Sequence, residues 1–166
     1  NRSIEEILPE ITSRVKIPVI AAGGVVDGSG IAKMIRMGAS GVQMATRFVL
    51  SVECAVSDAF KQMYLKACAD DVVIIKSPVG MPGRALRNIF SDKIRGGCAP
   101  QPEVCDGCLK ECSREYCIIQ ALENSRLGRV DDGVVFCGKN VYKIKEILPV
   151  QKIFEKLVKE FDNEPD

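Results

Sequence analysis

The chain has 166 residues, of which 46% are hydrophobic and 27% are charged, and its net charge is +1. This balance is typical of a globular protein, and no signal peptide or membrane-spanning segment appears. We therefore expect a cytoplasmic protein that has neither a nucleic acid nor a membrane as its partner.

The first predicted element is a helix over residues 3–15. Apolar residues recur there at helical spacing, and Ser3 with Glu6 forms a capping-box pattern at its start. Pro9 is expected either to kink this helix or to open its main part.

Residues 18–48 contain the most informative pattern of the chain. An apolar strand over 18–22 runs into Gly23-Gly24, a helix follows from Asp27 to Gly38, and a second strand over 41–44 leads into 45–48. Continuous apolar runs of this kind indicate parallel strands that are buried on both faces. Folds with parallel strands bind ligands at the carboxyl ends of those strands.

The two turns that follow these strands are a candidate phosphate site. Glycine allows a close backbone approach and a positive φ, and neighbouring N–H groups favour a bound anion. A simpler alternative is a tight strand-to-helix turn that needs glycine only for its geometry. The candidate cofactor-binding residues are Ala22, Gly23, Gly24, Gln43, Met44, Ala45 and Thr46.

The remaining elements are predicted from the same periodicities. Residues 53–68 have the pattern of a helix, 72–75 that of a short buried strand, and 76–88 that of a loop with two prolines and two glycines. Residues 150–161 show the clearest amphipathic spacing and predict a C-terminal helix.

Cysteine spacing is the second unusual feature. Six of the eight cysteines fall between 98 and 137, and four of them are closely spaced. Such spacing is compatible with an iron–sulfur cluster or a structural zinc ion, whereas reduced and unligated thiols are the alternative. The candidate ligands are Cys105, Cys108, Cys112 and Cys117, with Cys108 and Cys112 on one helix face.

The chain contains three motifs in order: IPVIAAGGVVDG at 17–28, GASGVQMATRF at 38–48 and SPVGMPGRALRN at 77–88. In sequence and in order they resemble the motifs of the nitronate monooxygenase (2-nitropropane dioxygenase) family, which includes the FMN-dependent enoyl-acyl-carrier-protein reductase II. The chain departs from the family pattern at Ala45, where the family has glycine before the threonine.

This resemblance implies a TIM-barrel flavoenzyme with FMN at the carboxyl ends of its strands. A complete barrel takes about 250 residues, so we expect an α/β chain that forms the C-terminal part of a TIM barrel plus a smaller, mostly helical, Cys-rich region. The expected domains are residues 1–90, the barrel part, and residues 91–166, the Cys-rich region.

The resemblance also implies an activity. The first expectation is oxidation of alkyl nitronates with O2, and the alternative is NAD(P)H-dependent reduction of an enoyl thioester, with a homodimer possible in either case. A hypothesis of another class makes residues 98–166 a metal-bearing or partner-binding module. The resemblance implies that a histidine upstream of this region is the catalytic base, although a complete enzyme that uses no histidine is the alternative. Because the chain has no histidine, we expect it to be inactive alone.

The loop over 76–88 contributes Ser77, Arg84 and Arg87. An arginine near a flavin could stabilise negative charge on the reduced ring or bind an acidic substrate. The alternative, which we favour, is a structural role for Arg84 at the barrel rim.

Overall fold

The computed structural model describes residues 2–105, 107–108 and 110–165. These residues form an α/β structure. In chain order, its elements are α1 (Ile4–Arg14), β1 (Ile20–Ala22), α2 (Gly28–Arg36), β2 (Gly41–Gln43), α3 (Thr46–Val49), α4 (Asp58–Lys66), β3 (Val72–Ile75), β4 (Gly83–Leu86), α5 (Ile89–Arg95), α6 (Ile118–Arg126) and α7 (Val150–Asp162).

The described residues divide into two compact units. The first unit comprises residues up to 54 together with those from 146 onwards, and the second comprises residues 55–145. The predicted boundary at residue 90 separates the barrel part from the Cys-rich region. These two units do not test that boundary, which stays a prediction. Within the described residues, none of the helices combines the length and apolar character needed to cross a bilayer.

Helix α1 of the first unit starts as the sequence predicts. The Ser3 hydroxyl accepts a hydrogen bond from the Glu6 N–H, and the Glu6 carboxylate accepts one from the Ser3 N–H, which completes the capping box. Pro9 lies inside the helix, which continues unbroken to Arg14.

The predicted strand–helix–strand segment is confirmed. Strands β1 and β2 pair in parallel, with Ile20 opposite Gly41 and Ala22 opposite Gln43. Helix α2 connects them, and the Asp27 carboxylate caps its start by accepting the Gly30 N–H at 2.8 Å. The core beneath this segment consists of Leu8, Ala21, Val25, Met34 and Ala39.

The prediction that these strands are buried on both faces is wrong for the described structure. In β1 only Ala21 is buried, and Ile20 is 56% exposed. Side chains alternate between the two faces of a strand, so Ala21 points into the core while Ile20 points to the other face.

In the second unit, β3 and β4 form an antiparallel pair. Val72 lies opposite Leu86 and Ile75 opposite Gly83. The pair packs against α5 and α6 around a core of Val73, Ile75, Ala85, Phe90, Ile94, Tyr116, Ile118, Ala121 and Val134.

Three predictions for this unit need correction. The predicted loop over 76–88 contains a strand, β4. The helix predicted over 53–68 starts only at Asp58, because the Ser57 hydroxyl accepts the Phe60 N–H and caps it there. Strand β3 is buried on one face alone, since its Ile74 side chain is 49% exposed.

Candidate functional site

The two predicted turns lie side by side at one edge of the parallel strand pair. Ala22 and Gln43 end β1 and β2 and are partners in the strand register. The turns that follow them, Gly23-Gly24 and residues 44–46, therefore leave the same end of neighbouring strands. All seven candidate cofactor-binding residues lie in the first unit, and their assignment to a cofactor stays a prediction.

The first of these turns requires glycine. Gly23 has a φ of +108° and Gly24 a φ of +75°, a region that side chains with L configuration rarely adopt. A Cβ placed on Gly23 would meet no described atom within 4 Å, so the space beside this residue is open. The turn thus presents backbone to an accessible space, as a phosphate-binding turn must.

The second turn differs from the first in its conformation. Ala45 has a φ of −121°, so the backbone does not require the glycine that the family has here. Ala45 and Gln43 are exposed, Thr46 is half-buried, and Met44 packs on the core of the first unit. The alanine methyl group is therefore tolerated by this chain's own fold.

Arg47, directly after this turn, is a residue that the sequence reasoning missed. Its side chain is only 5% exposed, and its Nη1 donates a hydrogen bond to the Glu146 carbonyl oxygen at 3.0 Å. Burial lowers the pKa of the guanidinium below its ordinary value, and the carboxylates of Glu146 and Glu160 oppose that shift. The available signal was a single charged residue within the otherwise uncharged run from Met44 to Leu50.

The loop residues Ser77, Arg84 and Arg87 lie in the second unit. Arg84 is in β4 with an exposed side chain, and its carbonyl oxygen accepts the Cys137 N–H at 2.9 Å. Arg87 lies 3.9 Å from an Asp92 carboxylate oxygen in an exposed ion pair. The role of the Arg84 and Arg87 side chains therefore stays a prediction.

The structure does not support the metal hypothesis. Outside positions 1, 106, 109 and 166, no three histidine, cysteine or acidic side chains come close enough to hold a metal ion. Cys108 and Cys112 do not share a helix face, because α6 begins only at Ile118 with Cys117 at its N-cap. The predicted helix register that would have made these thiols converge is wrong.

Cys137 is distinguished from the exposed thiols by its environment. Burial raises the pKa of Cys137 to about 11, although the nearby Arg84 charge opposes the shift. A group with this pKa is almost entirely protonated at pH 8, and the thiolate is the reactive form.

We expect a brief iodoacetamide pulse at pH 8 to label exposed Cys68 and Cys98 and to spare Cys137, as read by peptide mass spectrometry. Equal labelling of all three would contradict the assigned burial.

Comparison with known proteins gives consistent matches. The model of the family described as nitronate monooxygenase matches residues 1–160. A dehydrogenase of Mycobacterium tuberculosis, named for a hydroxy-methyl-oxo-octahydroindene-carboxyl-CoA, is 44% identical over 94 residues, which are 55% of this chain and 26% of that protein. A probable nitronate monooxygenase of Staphylococcus saprophyticus is 35% identical over 88 residues, which are 53% of this chain and 25% of that protein.

Among solved structures, FabK from Thermotoga maritima matches with a TM-score of 0.82 and 34% identity. The match covers 98% of this chain and 50% of FabK. The chain therefore spans about a quarter of the length of the curated relatives and about half of this structure.

Proposed function

Because the chain belongs to the nitronate monooxygenase family, whose members are oxidoreductases, we propose that the complete protein is an FMN-dependent TIM-barrel oxidoreductase. This chain would supply the turns that hold the FMN phosphate. One observation carries the proposal: two small-residue turns follow register partners Ala22 and Gln43 at the carboxyl ends of parallel strands.

The residues present fit a phosphate group. Gly23 and Gly24 both have positive φ values, and the space beside Gly23 is open, so a Cβ there would intrude on a bound group. Backbone N–H groups of the two turns, with the Thr46 hydroxyl, would donate to the phosphate oxygens. Bound FMN would supply the redox chemistry, and these turns would fix its position.

Oxidation of alkyl nitronates with O2, to a carbonyl compound and nitrite, is the first candidate activity. It is supported by the family match over residues 1–160 and by the Staphylococcus relative that is named a probable nitronate monooxygenase. The base for this reaction, a histidine, is proposed to lie in a part of the complete protein outside this chain, which has none.

Oxidation or reduction of an acyl thioester is the second candidate. It is supported by the 44% identity to a dehydrogenase named for a CoA thioester, and by a similarity to FabK that extends over 98% of the chain. NAD(P)H as a second substrate belongs to this candidate. A homodimer, a cytoplasmic location and a partner-binding role for residues 98–166 stay predictions.

The two activities are separated by the flavin's reaction partners. Purified complete protein is mixed anaerobically with NAD(P)H, and the flavin absorbance at 450 nm is followed; a parallel sample receives a nitronate in air, and O2 consumption is measured. Bleaching by NAD(P)H with no response to nitronate would favour the thioester candidate. O2 consumption with nitronate and no bleaching would favour the first.

Gly23→Ala tests the phosphate site itself. The new methyl group would strain a backbone at φ +108° and enter the open space beside the turn, so the Kd for FMN should rise by about tenfold. Fluorescence titration of the apoprotein with FMN measures this change.

Gly97→Ala is the matched control. Gly97 also has a positive φ, +71°, and open space for a Cβ, but it follows α5 in the second unit. This variant should bind FMN with the affinity of the unaltered protein. FMN affinity that is the same in all three proteins would contradict the proposed site.

A further inference from the structure

Arg47 is an unusual residue to find buried next to a binding turn. Only 5% of Arg47 is exposed to solvent. Its Nη2 has no hydrogen-bond partner among the residues that the structure describes. Burying a cation costs free energy unless its partners compensate for the lost water. A group that is costly to bury and incompletely paired suggests a requirement other than core packing.

The Arg47 hydrogen bond is one of a series that joins two segments of the first unit, and we call this series of hydrogen bonds the seam. Beyond the bond to Glu146, the Leu148 N–H donates to the Leu50 carbonyl oxygen at 3.3 Å, and the Val52 N–H donates to the Leu148 carbonyl oxygen at 3.1 Å. The Val150 N–H then meets the Glu53 carboxylate at 3.0 Å. Residues 146–150 thus run alongside residues 47–53, and we call residues 146–162 the C-terminal brace.

The C-terminal brace also contacts the element that follows the first turn. The Glu160 carboxylate accepts the Gly28 N–H at 2.8 Å, at the first residue of α2. The rings of Phe154 and Phe48 lie 5.4 Å apart, which places α7 against α3 as well. Helices α2 and α3 are the elements that continue from the two turns. The C-terminal brace therefore contacts the helix that follows each half of the candidate site.

We propose that Arg47 is a positioning residue, which acts through the Glu146 carbonyl oxygen to hold the 44–46 turn at a fixed place relative to Gly23-Gly24. This inference rests on the proposed function, since FMN is the ligand that the two turns would share. Arg47 directly follows Thr46, so fixing its side chain fixes the first turn of α3 and the backbone that leads into it. Two turns must keep a constant spacing to donate to one phosphate, because hydrogen bonds weaken within a few tenths of an ångström.

The test compares three variants of the complete protein. Arg47→Met keeps a long apolar stem without the donors, Arg47→Lys keeps a charged donor that can reach one carbonyl oxygen, and Glu53→Ala opens the far end of the seam. For each, we measure the Kd for FMN, the 31P chemical shift of bound FMN, the thermal midpoint and the amide hydrogen exchange of residues 43–46 in the apoprotein.

The expected result separates positioning from simple stabilisation. Arg47→Met should raise the Kd about tenfold, shift the 31P resonance and speed amide exchange at 43–46 about tenfold. Arg47→Lys should restore the Kd to within about threefold of the unaltered value. Glu53→Ala should lower the thermal midpoint and leave the 31P resonance and the exchange at 43–46 unchanged.

Two negative results have different meanings. Arg47→Met with an unaltered Kd, 31P resonance and exchange rate would overturn the positioning role, even if its thermal midpoint fell. Failure of the unaltered protein to bind FMN would instead overturn the proposed function and, with it, the ligand of this inference. The exchange measurement on the apoprotein distinguishes these cases because it needs no FMN.

Discussion

Replacing Gly28 by alanine is expected to lower the free energy of unfolding of the complete protein by about 3 kcal/mol, because overpacked sites cost 1–3 kcal/mol or more. A Cβ on Gly28 would overlap the Leu157 carbonyl oxygen and lie 2.6 Å from both the Glu160 Cβ and the Phe161 backbone nitrogen. Two of these atoms belong to the backbone of α7, so no side-chain rotation relieves the overlap. Helix α7 has to move away from α2.

Gly41→Ala is the control for this prediction. Among the atoms that the structure describes, a Cβ on Gly41 would meet the Ile20 Cδ1 atom alone, at 3.3 Å, and that atom ends a flexible and exposed side chain. Urea unfolding of both variants measures the difference, and Gly41→Ala should stay within about 1 kcal/mol of the unaltered protein. Equal stability of the two variants would show that α7 does not pack closely on α2.

Asn88 is expected to be the most sensitive polar residue of the second unit. Its side-chain oxygen accepts the Ser91 N–H at 2.7 Å and caps α5, while its amide nitrogen donates to the Val130 and Gly133 carbonyl oxygens. Asn88→Ala removes a cap and leaves partly buried carbonyl groups without donors. A cap is worth about 1 kcal/mol and each of the two unpaired carbonyl groups about 1–3 kcal/mol, which gives a loss of at least about 3 kcal/mol.

Asn88→Asp distinguishes the two roles of this side chain. Aspartate keeps the cap acceptor and suits a helix N-terminus, but it places a carboxylate oxygen against two carbonyl oxygens. We therefore expect Asn88→Asp to be as unstable as Asn88→Ala in urea unfolding. The control is Ser57→Asp at the start of α4, where the side chain accepts the Phe60 N–H, and there the change should stay within about 0.5 kcal/mol. A stable Asn88→Asp variant would mean that capping alone explains Asn88.

Elements stabilised by local contacts could be predicted from the sequence. The capping box at Ser3 and Glu6, the Asp27 cap and the pairing of strands around α2 each depend on residues close together in the chain. The three family motifs extended this prediction to the family and to a candidate cofactor edge, because glycines and small residues limit which backbone conformations are possible.

The features that the sequence did not reveal depend on distant partners. Strand β4 lies in a stretch rich in glycine and proline, and it is a strand because it pairs with β3. Arg47 is buried against the Glu146 carbonyl oxygen, which accepts its hydrogen bond. That partner lies 99 positions further along the chain, so the local sequence does not reveal it. The predicted cysteine site is not supported for a related reason: close spacing in sequence does not by itself bring thiols together, and in the described part of the chain no three metal-ligating side chains meet.

The first unit is built from two separate segments of the chain, so it cannot be completed until the second segment has been synthesised. Residues up to 54 leave the ribosome before residues 55–145, and α7, which packs on α2, is translated only after the whole of residues 55–145. At synthesis rates of about 5–20 residues per second, translation of residues 55–145 takes roughly 5 to 20 seconds. Helix α2 lacks its partner helix α7 during that time. During that interval the nascent chain exposes the apolar surface that α7 later covers, which is a surface that ribosome-associated chaperones would bind. A truncation that removed α7 would prolong this exposure indefinitely.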